Sequence, residues 1–119
     1  MSTLEMYGEE TEVRLSLKGL KRFAEVWTAD DVLIGEAMRL HHRPHDVNPE
    51  LKLYACYLEC RSIEMGGSVY IPTDFVADYD PAAQKVILSV TIRTVQRETW
   101  ERAPNFIAHY TSQVEELLV

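Results

Sequence analysis

Apolar and polar positions alternate with a period of two through most of this chain, and the period changes near its end. Val13, Leu15 and Leu17 alternate with Arg14, Ser16 and Lys18, the signature of a half-buried strand. Gly19 breaks that pattern, and Phe23 to Trp27 reads as a second short strand. Ala29-Asp30-Asp31 is a turn. Val32 to His42 follows, with Val32, Ile34, Met38 and Leu40 on one face and Glu36 interrupting it. Gly35 sits where a bulge or a close backbone approach is expected. RPHDVNP, from Arg43 to Pro49, is a loop by its turn-forming content.

Leu51, Leu53, Ala55 and Tyr57 alternate with Lys52, Tyr54, Cys56 and Leu58. Both faces are partly apolar, so this strand is expected to be covered on both sides, with a helix over 50–62 as the competing reading. Gly66-Gly67 marks a hairpin turn, and Val69 to Ile71 a strand. Pro72 has no N–H to donate and belongs at an edge or a strand end. Phe75-Val76 continues the apolar pattern, and Asp78 to Gln84 reads as a turn. Val86, Leu88, Val90 and Ile92 then form the cleanest alternation in the chain.

Beyond Pro104 the period becomes helical. Phe106, Ile107, Tyr110, Val114, Leu117 and Leu118 recur at steps of three or four, the stripe of an amphipathic helix. Pro104 suits a first turn. The pattern predicts a mainly β fold, a small β-barrel of about six strands with a C-terminal amphipathic α-helix. Residues 1–10 read as an acidic tail, 11–97 as the domain and 98–119 as a helical extension.

At 119 residues the chain is the length of one domain with a real core. Net charge is −7, and its distribution is uneven. Residues 1–12 hold four Glu and no base, and residues 98–119 hold four Glu against Arg102, while residues 13–97 balance. No basic run offers a footprint for phosphates, so nucleic acid is not the expected partner. A patch assembled in space from Lys18, Lys21, Arg22, Arg39 and Arg43 is the alternative that would support RNA or ribosome association. The first residues lack the basic and apolar regions of a signal peptide. No window has the ~20 apolar residues of a membrane span. Cytoplasmic location follows as an expectation. Cys56 and Cys60 lie four apart on a strand, about 13 Å, too far to pair with each other. Burial as small apolar side chains is the expected use of both thiols.

Four segments resemble the PRC-barrel family. Trp27-Thr28-Ala29-Asp30-Asp31-Val32-Leu33-Ile34-Gly35-Glu36-Ala37 is similar to that family's opening strand, turn and second strand. Tyr70-Ile71-Pro72-Thr73-Asp74-Phe75-Val76 resembles its later Y-I-P segment, and Asp80 through Leu88 its last hairpin. Trp100 to Phe106 looks like the tail of small bacterial relatives. The likeness covers roughly residues 23–97; Asp31 stands where the family's turn carries Gly. It implies a compact β-barrel that docks on partners, as in the photosynthetic reaction-centre H subunit and a ribosome maturation factor. It implies no catalytic residue and no cofactor.

Candidate chemistry is sparse. His41, His42, His45 and Asp46 are a possible metal set, although adjacent His41 and His42 face opposite ways on a strand. Asp74, Asp78 and Asp80 lack the Gly-containing loop of an EF-hand and read as turn residues. There is no G-x-S-x-G elbow and no phosphate-cradling Gly loop. An apolar patch of Trp100, Phe106, Tyr110, Val114 and Leu117 is the expected partner-binding surface, of types common in interface cores. The reading is a non-catalytic interaction module for an unidentified protein partner, with a homodimer as its expected form.

Overall fold

The structure, a computed structural model, describes residues 17–43, 54–98, 100–104, 107 and 113–119. The described residues form β1 (Glu25–Trp27), β2 (Leu33–His42), β3 (Cys56–Ser62), β4 (Gly67–Pro72), β5 (Val76–Asp80), β6 (Lys85–Leu88), helix α1 (Ile92–Arg97) and β7 (Gln113–Glu116). All seven strands belong to one mixed sheet, ordered β4-β3-β2-β1-β6-β5, with β7 added on β2. The β1–β6 pair is parallel and the other pairs are antiparallel.

The path does not close into a barrel by hydrogen bonds, since β4 and β5 are its two ends. It nevertheless curls. Six strands laid flat would hold the end strands about 24 Å apart. Yet β4 and β5 are joined only by the 3-10 turn Thr73–Phe75, and so short a link reaches at most ~14 Å. The predicted mainly β architecture is therefore present as a curled, open sheet.

Inside the curl lies one main core. Val26, Ile34, Leu58, Cys60, Val69, Ile71, Val86, Leu88 and Val95 are fully buried there. β3 has five consecutive buried residues, Cys56 to Cys60. That matches the sequence, because a second small cluster of Tyr57, Ile107, Tyr70 and Ala103 covers its other face.

β2 departs from simple alternation. Its residues Ile34, Ala37 and Leu40 are buried, three apart. Two bulges cause this. The β1–β2 register skips at Ile34 and the β2–β3 register skips at Met38. Each extra residue shifts the phase of the pleat. Ala37 therefore takes the inward place expected for Met38, and Glu36 interrupts nothing because it faces outward.

Three other expectations are corrected. The last alternating run stops at Leu88, and Thr91 then caps α1, so Ile92 begins a helix. Asp78 lies within β5 rather than in the turn, which is confined to residues 81–84. The C-terminal helix is not present over Gln113–Glu116, which is β7 instead. β1 pairs with β2 only as far as Glu36, leaving the rest of that edge open. β7 fills it from Arg39 to His42. An open edge of backbone donors and acceptors here outweighs the helical propensity of Gln113, Glu115 and Glu116. Phe106 and Tyr110 lie outside the described residues.

Candidate functional site

On the outer face of β1 and β2 lies an open groove of about 730 Å³. Three large apolar side chains line it while exposed: Ile63 at 97%, and Phe23 and Leu33 each at 42%. Single exposed apolar residues are ordinary, whereas here three surround one concavity.

The chain builds this groove by specific backbone choices. Phe23 is held at φ +74°, a region bulky side chains rarely occupy. Its N–H donates to the Ala37 carbonyl at 2.7 Å, which locks that conformation. Gly35 forms the floor. A Cβ there would stand 2.1 Å from the Arg61 carbonyl oxygen and 2.9 Å from Cys60 Sγ, so only glycine lets β3 approach. Ile63 and Glu64 project from the β3–β4 turn, which ends at Gly66 with φ +78°.

The polar lining is acidic. Glu25, Glu36 and Glu64 line the groove together with one guanidinium, Arg61. Glu25 and Glu36 are register partners across β1 and β2, and like charges directly opposite destabilise a ladder. Arg61 offsets one of them by donating to Glu36 Oε1 at 3.2 Å. Its guanidinium also lies 5.7 Å from the centre of the Phe23 ring. Trp27 Nε1 donates to Glu25 at 3.2 Å. Lys85 neighbours Glu25 on β6, but its ammonium sits over the Trp27 ring, 4.6 Å from the centroid.

A different polar system occupies the far end of β2. Arg39 Nε donates to Glu116 Oε1 at 2.8 Å, and Arg22 donates to the other oxygen at 2.8 Å. Arg39 also pairs with Glu59, whose second oxygen meets His41 Nε2 at 2.8 Å. The His41 hydrogen bond and the Arg39 charge hold the Glu59 carboxyl below its ordinary range, against the opposing effect of burial. Every carboxylate oxygen in this chain of groups is engaged, which is the organisation of a structural clamp. Arg22 and Arg39 of the expected basic patch are thus paired with Glu116 and Glu59.

The sequence-derived candidates separate in space. His41 and His42 face opposite sides of β2, and His42 pairs with Glu115 at 2.9 Å. His45 and Asp46 lie outside the described residues, among which no cluster of three metal-ligating side chains occurs. Asp80 accepts from Ala82 and Ala83 backbone N–H at 3.0 and 3.2 Å, closing its own turn. Leu117 is buried in the main core, and Trp100 packs on it and on Phe75, with ring centroids 5.2 Å apart. Val114 stays exposed on β7. Cys56 and Cys60 are buried and form no disulfide, and burial pushes the Cys60 thiol up to about 12.

No helix among the described residues is long and apolar enough to cross a membrane. Comparison with protein-family models, curated proteins and solved structures finds no match to this chain.

The groove was not legible as a site in the sequence. Phe23 reads as the start of a strand, and the pattern of the sequence does not single out Ile63. The available signal was Ile63-Glu64-Met65 before Gly66-Gly67, an apolar side chain in a turn too tight to bury it.

Proposed function

We propose that this chain is a non-catalytic protein-interaction module of PRC-barrel type, which docks a partner segment in the groove of Phe23, Leu33 and Ile63. The single observation that carries this reading is the convergence of three exposed apolar side chains on one groove. The chemistry of the rest supports it. A thiol driven to about 12 is no nucleophile at neutral pH, and the buried carboxylate Glu59 is fully engaged by Arg39 and His41.

The docking surface differs from the C-terminal patch expected from the sequence, because Leu117 and Trp100 serve the core of their own chain. Self-association through that patch loses two of its five anchors, and the groove takes its place.

Panning a library of displayed random twelve-residue peptides against the protein tests this. Parallel selection uses the double variant Leu33→Glu, Ile63→Glu, both exposed positions. Peptides that bind the parent protein at least tenfold better than the variant are expected. Equal binding to both, with the variant's fold verified by circular dichroism, would remove the groove as the docking site.

A further inference from the structure

We infer that the groove selects a cationic partner segment, an arginine or lysine flanked by apolar side chains. This inference rests on the docking reading above and specifies its occupant.

The argument begins with the placement of charge. Register sets Glu25 directly against Glu36, an arrangement that costs stability in an isolated ladder. Glu64 adds a third carboxylate on the groove wall. The lining holds three carboxylates and one cation, Arg61, an excess of negative charge. Lys85, the register partner of Glu25 on β6, lies at the edge of this row with its ammonium 4.6 Å from the centre of the Trp27 ring, and it stays charged there. A cation entering the groove meets this excess of carboxylates beside an apolar wall.

Arg61 shows how such a cation is held. Its guanidinium binds a carboxylate oxygen of Glu36 at 3.2 Å while lying 5.7 Å from the Phe23 ring centre. A planar cation between a carboxylate and an aromatic face is the arrangement arginine favours. Glu25 and Glu64 offer the same service to a second cation from outside. Leu33, Ile63 and the open edge of Phe23 then cover the apolar neighbours of that residue.

A second copy of this chain is the less complementary occupant. Its net charge is −7, and both of its ends are acidic. An acidic or neutral peptide brings nothing to Glu25, Glu36 and Glu64.

The groove-dependent peptides from the panning experiment provide the test. They are expected to carry net positive charge, with Arg or Lys adjacent to Leu, Ile or an aromatic residue. A synthetic peptide from that set should lose about tenfold in affinity between 50 and 500 mM NaCl, since exposed pairing is screened. The same peptide should bind the Glu25→Gln, Glu64→Gln double variant at least tenfold more weakly, while the Leu33→Glu, Ile63→Glu variant abolishes binding. Groove-dependent winners that are neutral or acidic, or an affinity unchanged by the Glu→Gln pair, would overturn the inference and leave the docking reading standing. Absence of any groove-dependent winner would overturn the docking reading itself. Dimerisation abolished by Leu33→Glu, Ile63→Glu in light scattering would assign the groove to a second copy and overturn the cationic partner.

Discussion

Arg39 and Glu116 meet at 2.8 Å across the β2–β7 ladder, although 77 positions separate them in the chain. Arg39 also reaches Glu59, and Arg22 reaches Glu116, so one chain of charges ties β7 and the 17–23 turn to the centre of the sheet. Isolated exposed pairs contribute little, but Glu59 is buried and would be left without its counter-charge. Arg39→Ala is expected to destabilise the fold by about 2 kcal/mol. Glu116→Ala should cost about 0.5 kcal/mol, as an exposed partner. Urea unfolding of both variants measures this, and equal effects would show that Glu59 does not depend on Arg39.

The same clamp sets a pH dependence. Glu59 is held below its ordinary value of 4.5 in the folded protein. A depressed carboxyl adds stability that is fully present above the unfolded value and is lost as pH falls through the folded one. Unfolding free energy should therefore decline once pH drops below about 4.5, and Glu59→Gln should flatten that decline. Parallel pH profiles for parent and variant would assign the acid sensitivity elsewhere.

Gly35→Ala addresses the groove floor. The added methyl meets the Arg61 carbonyl oxygen at 2.1 Å, a backbone atom held by the β2–β3 ladder. The loss should be ~3 kcal/mol or more, with the melting temperature falling accordingly. A variant melting within 2 °C of the parent would mean that β2 and β3 separate here at little cost.

Phe23→Gly should act in opposite directions on stability and binding. Glycine removes the strain at φ +74°, worth about 1 kcal/mol, against the loss of a half-exposed ring. Thermal stability should hold or rise slightly. Affinity for groove-dependent peptides should fall, because the aromatic wall and the Arg61 contact go with the ring.

The buried thiols predict chemical inertness. Cys56 and Cys60 should react with a disulfide reagent only on the timescale of unfolding, since neither is exposed and Cys60 does not ionise at neutral pH. Rapid labelling of either in the native protein would place β3 in a dynamic element.

Local pattern was enough for the mainly β character, the outline of β2 and β4, and the two-sided burial of β3. The reason is that pleated strands write burial into the sequence with a period of two. Pro72 was read correctly as a strand end, because a residue without an N–H tolerates few other places. Asp31 is an instructive case. It stands where the resembling family has Gly, and it adopts φ +63°, a conformation that Asp tolerates.

The tertiary structure decided what depends on partners far away in the chain. Two bulges in β2 moved Ala37 inward, and only the neighbouring strands reveal them. Asp30 accepts the Ile92 N–H at 3.1 Å, so a turn 62 residues upstream helps to start α1 where alternation predicted more strand. The vacant edge of β2 and the cations Arg39 and Arg22 made a strand of Gln113–Glu116. The groove itself joins Phe23, Leu33 and Ile63 from three segments. By itself the sequence settled the periodicities, since these arise between adjacent residues. Which edges are free, which charges meet and which apolar side chains stay exposed depend on distances between segments, and only the folded sheet sets those distances.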